Sequence, residues 1–497
     1  MALAGLDVGT SGCKFTVYTN TGRKLLTARR NYREFSAGEG WRELDPELVL
    51  QKVLEVINEG CRLSPETVEA FAIASMGETT IVVDEAGKSL QNAMVTGDSR
   101  GIAETKRLIE SKSAGAIMEL TGAPPSEMYS LPKWMWTNDQ TDVFQKGKYL
   151  FLFEDYIAWH LTGQRKVSHS SAARTMAFDI EKKQWSQDLL KIAGLSLDKM
   201  SEIVASGTII GEVLPEIAKR HGLHPGMKVV SGGHDQTMAT LGAGVNNPGI
   251  AEDCLGTCEV FSAMLPGVMK NDYMLKKNLT CIPYVYPDTY LTYIVLPTMG
   301  ILMNWVSETL FTHLDWECGQ TGNKTLAQMD KMLSDTPSGL LALPQFGSAG
   351  IPDVDYDAKG LIWGLTVHTK PSQIYQAVLE SMTYHIYMAY RLLEPLGIKC
   401  ETLRLTGGGS YSEPMLQMRA DVFGLPVQQM ENPECGAAGC MLLAGKAIGV
   451  FDTMDKAIEK TIRARKTFQP DFKRHEAYMR EYEKYEKLYH MVHNFKG

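Results

Sequence analysis

A chain of 497 residues is longer than one hydrophobic core usually supports, so we expect two domains of about 200 to 250 residues each. Hydrophobic residues make up 44% and charged residues 22% of the chain, which is typical of globular proteins and excludes a disordered or fibrous class. The formal net charge of −8 argues against nucleic-acid binding, which needs clustered Lys and Arg.

The cysteine spacing argues against a zinc site and a disulfide framework, and the hydropathy argues against a membrane span. The nine cysteines form no C-x-x-C pair and no Cys/His ligand spacing, so we expect reduced thiols and neither a zinc site nor a disulfide framework. The start "MALAGLDVGT" has no basic region before a long apolar run, and no run approaches the roughly 18 apolar residues of a membrane span. The chain is therefore predicted to be cytoplasmic, without a nucleic-acid or membrane partner.

The first elements predicted are three antiparallel strands, because short apolar runs alternate with turn signals up to Tyr32. A helix follows from Pro46, with Asp45 as its cap and Gly60 at its end. Its apolar stripe is Leu50, Val53, Leu54 and Ile57.

The rest of the first half continues with a strand in "VEAFAIASM" and a mainly helical region over residues 100–225. The stretch "GMKVVSGGHDQTMATLGAGV" then predicts a buried strand, a glycine-rich bend and a helix. Polar residues at such a bend usually face a cleft.

The second half repeats this plan. Strands are predicted in "AEDCLGTCEVFSAML", "TYLTYIVLP" and "TLRLTGGGS", with a long helix before the last of them and another helix after it. We therefore expect a boundary near residues 244–249 and two domains, 1–245 and 246–497. Near the end, four tyrosines share one helix face by their spacing and indicate packing: Tyr478, Tyr482, Tyr485 and Tyr489.

One small turn occurs in each half. The segment "GLDVGTSGCK" places Asp7 at a strand end, where burial of a carboxylate is unfavourable unless a cation or hydrogen-bond donors compensate. Gly9, Thr10 and Ser11 follow, with the small residues, free N–H groups and hydroxyls that suit phosphate oxygens. An ordinary hairpin with an Asp-capped turn is the alternative.

The second turn, Gly256, Thr257 and Cys258, favours the phosphate interpretation, because two such turns can close on one phosphate chain from opposite sides. This arrangement predicts a nucleotide triphosphate in a cleft between two domains. A third glycine-rich turn, "TGGGS", follows a strand and would let the backbone approach a ring or a phosphate closely. A purely structural turn is the alternative there.

Eight motifs in order resemble the FGGY carbohydrate kinases, whose fold is that of actin, hexokinase and the heat-shock ATPases. They are "GLDVGTSGCK", "GWRELDPELV", "MYSLPKWMW", "DYIAWHLTG", "GGHDQTMATLGAGV", "CLGTCEVF", "LTGGGSYSEPMLQMRADVFGLPV" and "ECGAAGCMLLAG". The resemblance implies an α/β protein of two ribonuclease-H-like domains with an interdomain cleft. It also implies ATP and Mg²⁺ as cofactors and a small sugar or polyol as substrate.

Residue roles follow from the same resemblance. It implies a magnesium site at Asp7 and Asp235, with Asp7 acting through water, and Asp235 as the catalytic base. The residues implied for nucleotide binding are Gly9, Thr10, Ser11, Gly256, Thr257, Gly408, Gly409 and Ser410. The residues implied for acceptor binding are Glu78, Asp98, His234 and Gln236.

The chemistry of phosphoryl transfer agrees with the role of Asp235, because the protein mainly positions groups and needs a carboxylate near the acceptor hydroxyl. We expect the partial positive charge of the following helix N-terminus to help keep this carboxylate ionised at neutral pH. A helix cap is the alternative for Asp235. A solvated loop carboxylate is the alternative for Glu78, a turn residue for Asp98 and a structural histidine for His234.

Several acceptor-side positions depart from the better-known branches of the family. Gly77 stands where glycerol kinases have an arginine, so negligible activity on glycerol is expected. Thr96 and Gly97 replace a bulky Trp and its polar neighbour.

The acceptor could be a ketopentose, ketohexose, tetrulose, sugar acid or alditol, and a homodimer is also an open alternative. A chaperone-like or actin-like ATPase and a sugar sensor without catalysis are the two alternative functions.

Overall fold

The computed structural model describes residues 1–311, 323–355 and 357–496. Within them, two large mixed sheets form the centres of the two halves of the chain. The six strands of the first sheet, in spatial order, are Ile209–Glu212, Lys228–His234, Val68–Ser75, Ala2–Val8, Gly12–Thr19 and Lys24–Asn31. The last three form the predicted antiparallel meander, which is confirmed.

The second sheet repeats this arrangement. Its seven strands, in spatial order, are Ile282–Pro283, Tyr290–Leu296, Glu259–Leu265, Ile250–Leu255, Thr402–Thr406, Val427–Met430 and Ala464–Phe468. In each sheet an antiparallel three-strand meander is extended by two parallel strands and then by an antiparallel edge strand. The predicted repetition of one plan in both halves is confirmed.

Helices cover the sheets and fill the region between residues 100 and 225. Those of the first half are Pro46–Leu63, Ile102–Lys112, Ala114–Thr121, Ser130–Gln140, Val143–Lys146, Phe153–Thr162, His169–Ala173, Gln187–Ile192, Pro215–His221 and Asp235–Gly242. Those of the second half are Asp272–Lys276, Met299–Leu310, Asn323–Asp330, Pro371–Tyr390, Glu413–Phe423, Cys435–Ala447, Met454–Thr461 and Phe472–Lys496. None of these helices, which belong to the described ranges, is both long enough and apolar enough to cross a bilayer.

Short strand pairs lie among the helices and were not predicted. They are Glu43–Leu44 with Ala93–Met94, Thr80–Val83 with Tyr149–Leu152, Lys166–Ser168 with Glu202–Val204, Phe178–Asp179 with Gln184–Trp185, and Leu341–Leu343 with Leu361–Trp363. Strands of two to four residues carry too little periodicity to be recognised in a sequence.

The helix Pro46–Leu63 begins as predicted, because the Asp45 carboxylate accepts hydrogen bonds from the N–H groups of Glu47 and Leu48. The predicted end at Gly60 is wrong. A Cβ at Gly60 would lie 2.5 Å from Cδ1 of Phe15 on the sheet. This glycine therefore allows the helix to pack closely, and the helix continues past it.

The buried face of that helix is also rotated slightly from the predicted stripe. Val49, Val53, Val56 and Ile57 are buried, whereas Leu50 and Leu54 are only partly covered.

The helix Cys435–Ala447 comes from the second half of the chain but packs on the first sheet. A Cβ at Gly5 would collide with the carbonyl group of Ala437, and one at Gly439 with the carbonyl oxygen of Met238. The helix thus meets both the first strand and the helix Asp235–Gly242 at backbone distance. Helices from both halves of the chain consequently form one packed layer against the first sheet.

The predicted tyrosine face of the last helix is confirmed. The side chains of Tyr478, Tyr482, Tyr485 and Tyr489 are all buried. Tyr384 of the long helix Pro371–Tyr390 packs among the first three of them, with its ring centroid 5.5 Å from that of Tyr485. Packing is the role of this face.

Candidate active site

A cavity of about 1330 Å³ lies where the two halves of the chain meet, above the floor formed by the helices Asp235–Gly242 and Cys435–Ala447. The predicted site residues in its wall are Asp7, Gly9, Ser11, Asp235, Gln236, Thr257 and Gly408. The predicted site residues outside its wall are Thr10, Glu78, Asp98, His234, Gly256, Gly409 and Ser410. The fold thus brings both turns to one cleft, and of the acceptor-side residues it places Gln236 in the cavity wall and Glu78, Asp98 and His234 outside it.

The first turn joins two antiparallel strands and is closed by a hydrogen bond of 3.0 Å from the N–H of Gly9 to the carbonyl oxygen of Gly12. Asp7 and Lys14 are paired across the two strands and so share one sheet face. Nζ of Lys14 lies 3.8 Å from Oδ2 of Asp7. Lys14 lines the cavity as well and was not identified from the sequence, although the strand alternation could have placed it there.

In the second turn the N–H of Gly256 donates a 3.0 Å hydrogen bond to the carbonyl oxygen of Cys258, two residues further on instead of the three residues of the first turn. The carbonyl oxygen of Thr257 accepts a 2.8 Å hydrogen bond from the N–H of Gly300. The thiol of Cys258 donates to the carbonyl oxygen of Pro297 at 3.2 Å. Thr257 is therefore held in the cavity wall by the start of the helix Met299–Leu310.

The glycine-rich turn after Thr402–Thr406 presents backbone to the cavity. Gly407 has φ +75°, and a Cβ there would lie 2.6 Å from the carbonyl oxygen of Leu255, so only glycine fits. No atom of the described residues lies within 4 Å of a Cβ built on Gly408. Ser410 is buried and donates a 2.7 Å hydrogen bond to the carbonyl oxygen of Gly407, so its side chain shapes the turn from behind.

Asp7 and Asp235 place two carboxyl groups in the same wall, with 23% and 29% of their side-chain surfaces exposed. Burial raises the pKa of Asp7, and burial together with the charge of Asp7 raises the pKa of Asp235 to about 7. We expected the helix N-terminus to help keep Asp235 ionised. The N–H of Gln236 in the first turn of the helix donates a 2.6 Å hydrogen bond to Oδ1 of Asp235 and lowers its pKa, but burial and the charge of Asp7 outweigh this effect, so the carboxyl group is ionised only in part at pH 7.

This pair of carboxyl groups fits a magnesium ion. Among the residues that the structure describes, no group of three or more His, Cys, Asp and Glu side chains could hold a metal. Mg²⁺ commonly uses only one or two carboxylates and completes its shell with water and substrate phosphates. Two partly buried carboxyl groups with raised pKa values, one of them raised in part by the charge of the other, are suited to an added cation.

Asp235 is the first residue of its helix, and His234 is the cap residue. Nε2 of His234 lies 3.2 Å from Oδ1 of Asp235. Burial, and then the nearby Arg174, lower the pKa of His234 well below its ordinary value, so the imidazole is neutral at pH 7. Within the described ranges, Nδ1 of His234 and Oε1 of Gln236 are buried without a hydrogen-bond partner.

Glu78 and Asp98 are both buried in ion pairs. Glu78 pairs through Oε1 with Nη2 of Arg174 and accepts a 3.0 Å hydrogen bond from the hydroxyl of Thr96. Asp98 accepts 2.8 Å and 2.6 Å hydrogen bonds from Nε and Nη2 of Arg100, and another from the N–H of Arg42. Neither carboxylate is a solvated loop group, and Asp98 orders its own turn.

Arg174 is the most prominent site residue that the sequence analysis missed. It follows the helix His169–Ala173 in the stretch "SSAARTMAF" and is 6% exposed. A lone arginine among small and apolar residues was the only signal available. Its partner Glu78 is 96 residues away in the chain, so no local pattern connects the two.

Family models match both halves of the chain. Residues 2–242 match the N-terminal domain, and residues 255–448 the C-terminal domain, of the FGGY family of carbohydrate kinases. The xylulose kinase of Bacillus subtilis is 25% identical over 489 residues, with 98% of this chain and 96% of that protein covered. The glycerol kinase of Citrifermentans bemidjiense is 27% identical, with 95% of each chain covered.

The gluconate kinase from Lactobacillus acidophilus is a solved structure with a similar fold. Its TM-score is 0.90 at 22% identity, with 99% of this chain and 98% of that chain covered. This likeness confirms the predicted fold class of two ribonuclease-H-like α/β domains with a cleft between them.

Proposed function

Because the chain belongs to the FGGY family of carbohydrate kinases, and is thus a phosphotransferase, we propose that it transfers the γ-phosphoryl group of Mg-ATP to a hydroxyl of a small sugar or polyol, with Asp235 as general base. The observation that carries this proposal is the position of Asp235. Its carboxyl group lies in the cavity wall with Asp7 and the first turn, and it contacts His234 on the acceptor side.

ATP would bind with its phosphates between the two turns. Gly9, Thr10 and Ser11 would bind the transferred phosphate from one side, and Gly256 and Thr257 would bind the phosphate chain from the other. Gly408 would lie against the adenosine, since no side chain among the described residues fills the space above it. Gly409 and Ser410 would act by shaping the same turn.

Asp7 and Asp235 would hold the magnesium ion, Asp7 through water. When bound, the ion would neutralise charge on the phosphates as the bond to ADP breaks. Lys14, 3.8 Å from Asp7, supplies a second positive charge to the same part of the cleft.

The base step follows from the position of Asp235. Its carboxylate accepts the proton of the attacking hydroxyl while the new oxygen–phosphorus bond forms and ADP leaves. The N–H of Gln236 donates a 2.6 Å hydrogen bond to Oδ1 of Asp235, and Nε2 of the uncharged His234 lies 3.2 Å from the same oxygen, so the other oxygen would be the one directed at the acceptor. General-base assistance of this kind contributes about 10²- to 10⁴-fold in rate.

The acceptor is proposed to be a ketose, sugar acid or alditol, bound near Glu78, Asp98, His234 and Gln236. Relatives are named as kinases of xylulose, glycerol and gluconate. Glycerol is disfavoured here because a side chain at Gly77 would collide with Arg174 and His234, which leaves no room for the arginine of glycerol kinases.

A coupled ADP-release assay with ketoses, aldoses, alditols and sugar acids tests the proposal. We expect one class to give turnover well above acceptor-free ATP hydrolysis, with magnesium required and glycerol at background. The absence of acceptor-dependent ADP release across the whole panel would contradict the proposal, and efficient glycerol turnover would contradict the acceptor assignment.

Three further statements stay predictions. The division into domains 1–245 and 246–497 is supported by the two sheets, since the last strand of the first ends at His234 and the second sheet begins at Ile250. The cytoplasmic location and a homodimer rest on the sequence analysis alone.

A further inference from the structure

We propose that Arg174 is a positioning residue for the acceptor side of the site, which acts by holding Glu78 and His234 in place beside Asp235. This inference rests on the proposed kinase function and assigns a role to a side chain outside the predicted acceptor set. Four side chains lie one after another between the acceptor side and the proposed base, and they carry a carboxylate, a guanidinium, an imidazole and a carboxylate. In order, they are Glu78, Arg174, His234 and Asp235. An ion pair joins the first two, the stem of the second and the ring edge of the third lie over Gly77, and Nε2 of the third lies 3.2 Å from Oδ1 of the fourth.

The contacts of Arg174 hold it in one orientation. Its Nη2 pairs with Oε1 of Glu78, and its Cζ lies 5.0 Å from the ring centroid of Tyr129. Its side chain is 8% exposed and that of Glu78 is 4% exposed. Nε is buried and has no hydrogen-bond partner within the described part of the chain.

Gly77 leaves room for both Arg174 and His234. A Cβ at Gly77 would lie 2.6 Å from Cγ of Arg174 and 2.7 Å from Cδ2 of His234. Both distances are shorter than real Cβ contacts, so any side chain at position 77 must displace one of the two. The stem of the guanidinium and the edge of the imidazole therefore share the space over one glycine.

The ion pair between Arg174 and Glu78 also limits the hydrogen bonds that Glu78 can form with a substrate. One carboxylate oxygen is used by Arg174 and the other accepts from the Thr96 hydroxyl, so about half of the four lone-pair positions of Glu78 are already occupied and its orientation is fixed. A buried ion pair contributes little to stability, but removal of one partner leaves an uncompensated buried charge. The row is consequently better explained as a device that orients His234, and through it Asp235, than as a stabilising contact.

The test compares wild-type protein with Arg174→Met, Arg174→Lys and the double variant Arg174→Met/Glu78→Gln, using the best acceptor from the ADP-release panel. We expect Arg174→Met to lower acceptor kcat/KM by about 10- to 100-fold while the KM for ATP changes less than about twofold. Arg174→Lys should recover part of the loss. The double variant should lose no more than Arg174→Met alone, because the two side chains act as one unit.

Gly77→Ala provides a second variant in case Arg174→Met does not fold. It keeps every charge and adds only a Cβ where Arg174 and His234 meet, so it should lower acceptor kcat/KM without a matching change in the KM for ATP. Acceptor-free ATP hydrolysis and the melting temperature are recorded for each variant as controls.

The outcomes separate the two proposals. If the wild-type protein phosphorylates no acceptor, the kinase function and this role fail together. If it does, the role of Arg174 alone is overturned by either of two results: acceptor kcat/KM within about threefold of wild type in a folded Arg174→Met or Gly77→Ala variant, or equal losses toward ATP and acceptor.

Discussion

The two turns of the cleft each connect two antiparallel strands through three residues, but their surroundings differ. Two residues before Gly9 stands Asp7, and two residues before Gly256 stands Cys254, and both line the cavity. Across the strands, Asp7 is paired with Lys14, whereas Cys254 is paired with Val260. The first turn therefore brings charge to the cleft, and the second brings backbone N–H groups and the Thr257 hydroxyl.

The charges of the second turn lie on the opposite face of its sheet, because successive strand residues point to opposite sides. Asp253 and Glu259 form ion pairs of 3.1 Å and 2.6 Å with Arg419, and all three side chains are fully buried. The same strand–turn–strand unit therefore presents charged side chains to the cleft at the first turn. At the second turn it presents uncharged groups to the cleft and buries its charged side chains on the other face of the sheet.

Asp235→Asn should have the largest effect, because Asp235 is the proposed proton acceptor on the charged side of the cleft. We expect kcat to fall by about 10²- to 10⁴-fold, with acceptor binding retained because the amide still forms hydrogen bonds. Steady-state kinetics with the best acceptor measure this. Asp188→Asn, at a side chain that is 85% exposed, is the matched control, and an Asp235→Asn enzyme with more than a tenth of the parent rate would rule out the base role.

Arg419→Met should have the next largest effect, and on stability rather than chemistry. It leaves Asp253 and Glu259 buried without their cation, which should cost about 3 to 5 kcal/mol in the free energy of unfolding. Denaturant unfolding monitored by tryptophan fluorescence measures the loss. A decrease in the free energy of unfolding below about 1 kcal/mol, the range of solvent-exposed ion pairs, would contradict a strong contribution from this buried cluster.

Asp7→Ala and Cys254→Ala compare the two turns at equivalent positions. Asp7→Ala should reduce magnesium-dependent turnover by about 10- to 100-fold and raise the magnesium concentration needed for half-maximal rate. Cys254→Ala should leave both quantities within about threefold, since no charge is removed. Equal magnesium responses in the two variants would contradict the charged role of the first turn.

Arg29→Met should have the smallest effect. Arg29 of the first sheet pairs with Glu434, which precedes the helix Cys435–Ala447, at 2.5 Å, but the Arg29 side chain is 54% exposed. Such pairs contribute about 0.2 to 1 kcal/mol and are screened by salt. Thermal unfolding should show a small decrease in melting temperature at low salt and none at high salt. A large decrease that is independent of salt would contradict this assignment of Arg29 to a weak surface ion pair.

Local patterns determined much of this protein in advance of any structure. The meander of the first sheet, the capped start at Asp45, both turns and the tyrosine face each depend on residues within a few positions of one another. Such features follow from strand and helix periodicity and from turn chemistry, which act over short stretches of chain. The family resemblance carried by eight ordered motifs belongs to the same level of information.

Features that depend on burial, or on residues far apart in the chain, were determined only by the tertiary structure. It placed the helix Cys435–Ala447 on the first sheet, carried the helix Pro46–Leu63 past Gly60, and joined Glu78 to Arg174 across 96 residues. It also raised the pKa of Asp235 to about 7, through burial and Asp7, against the helix terminus. Desolvation and charge pairing depend on which atoms surround a group in space, and the order of residues along the chain does not contain that information.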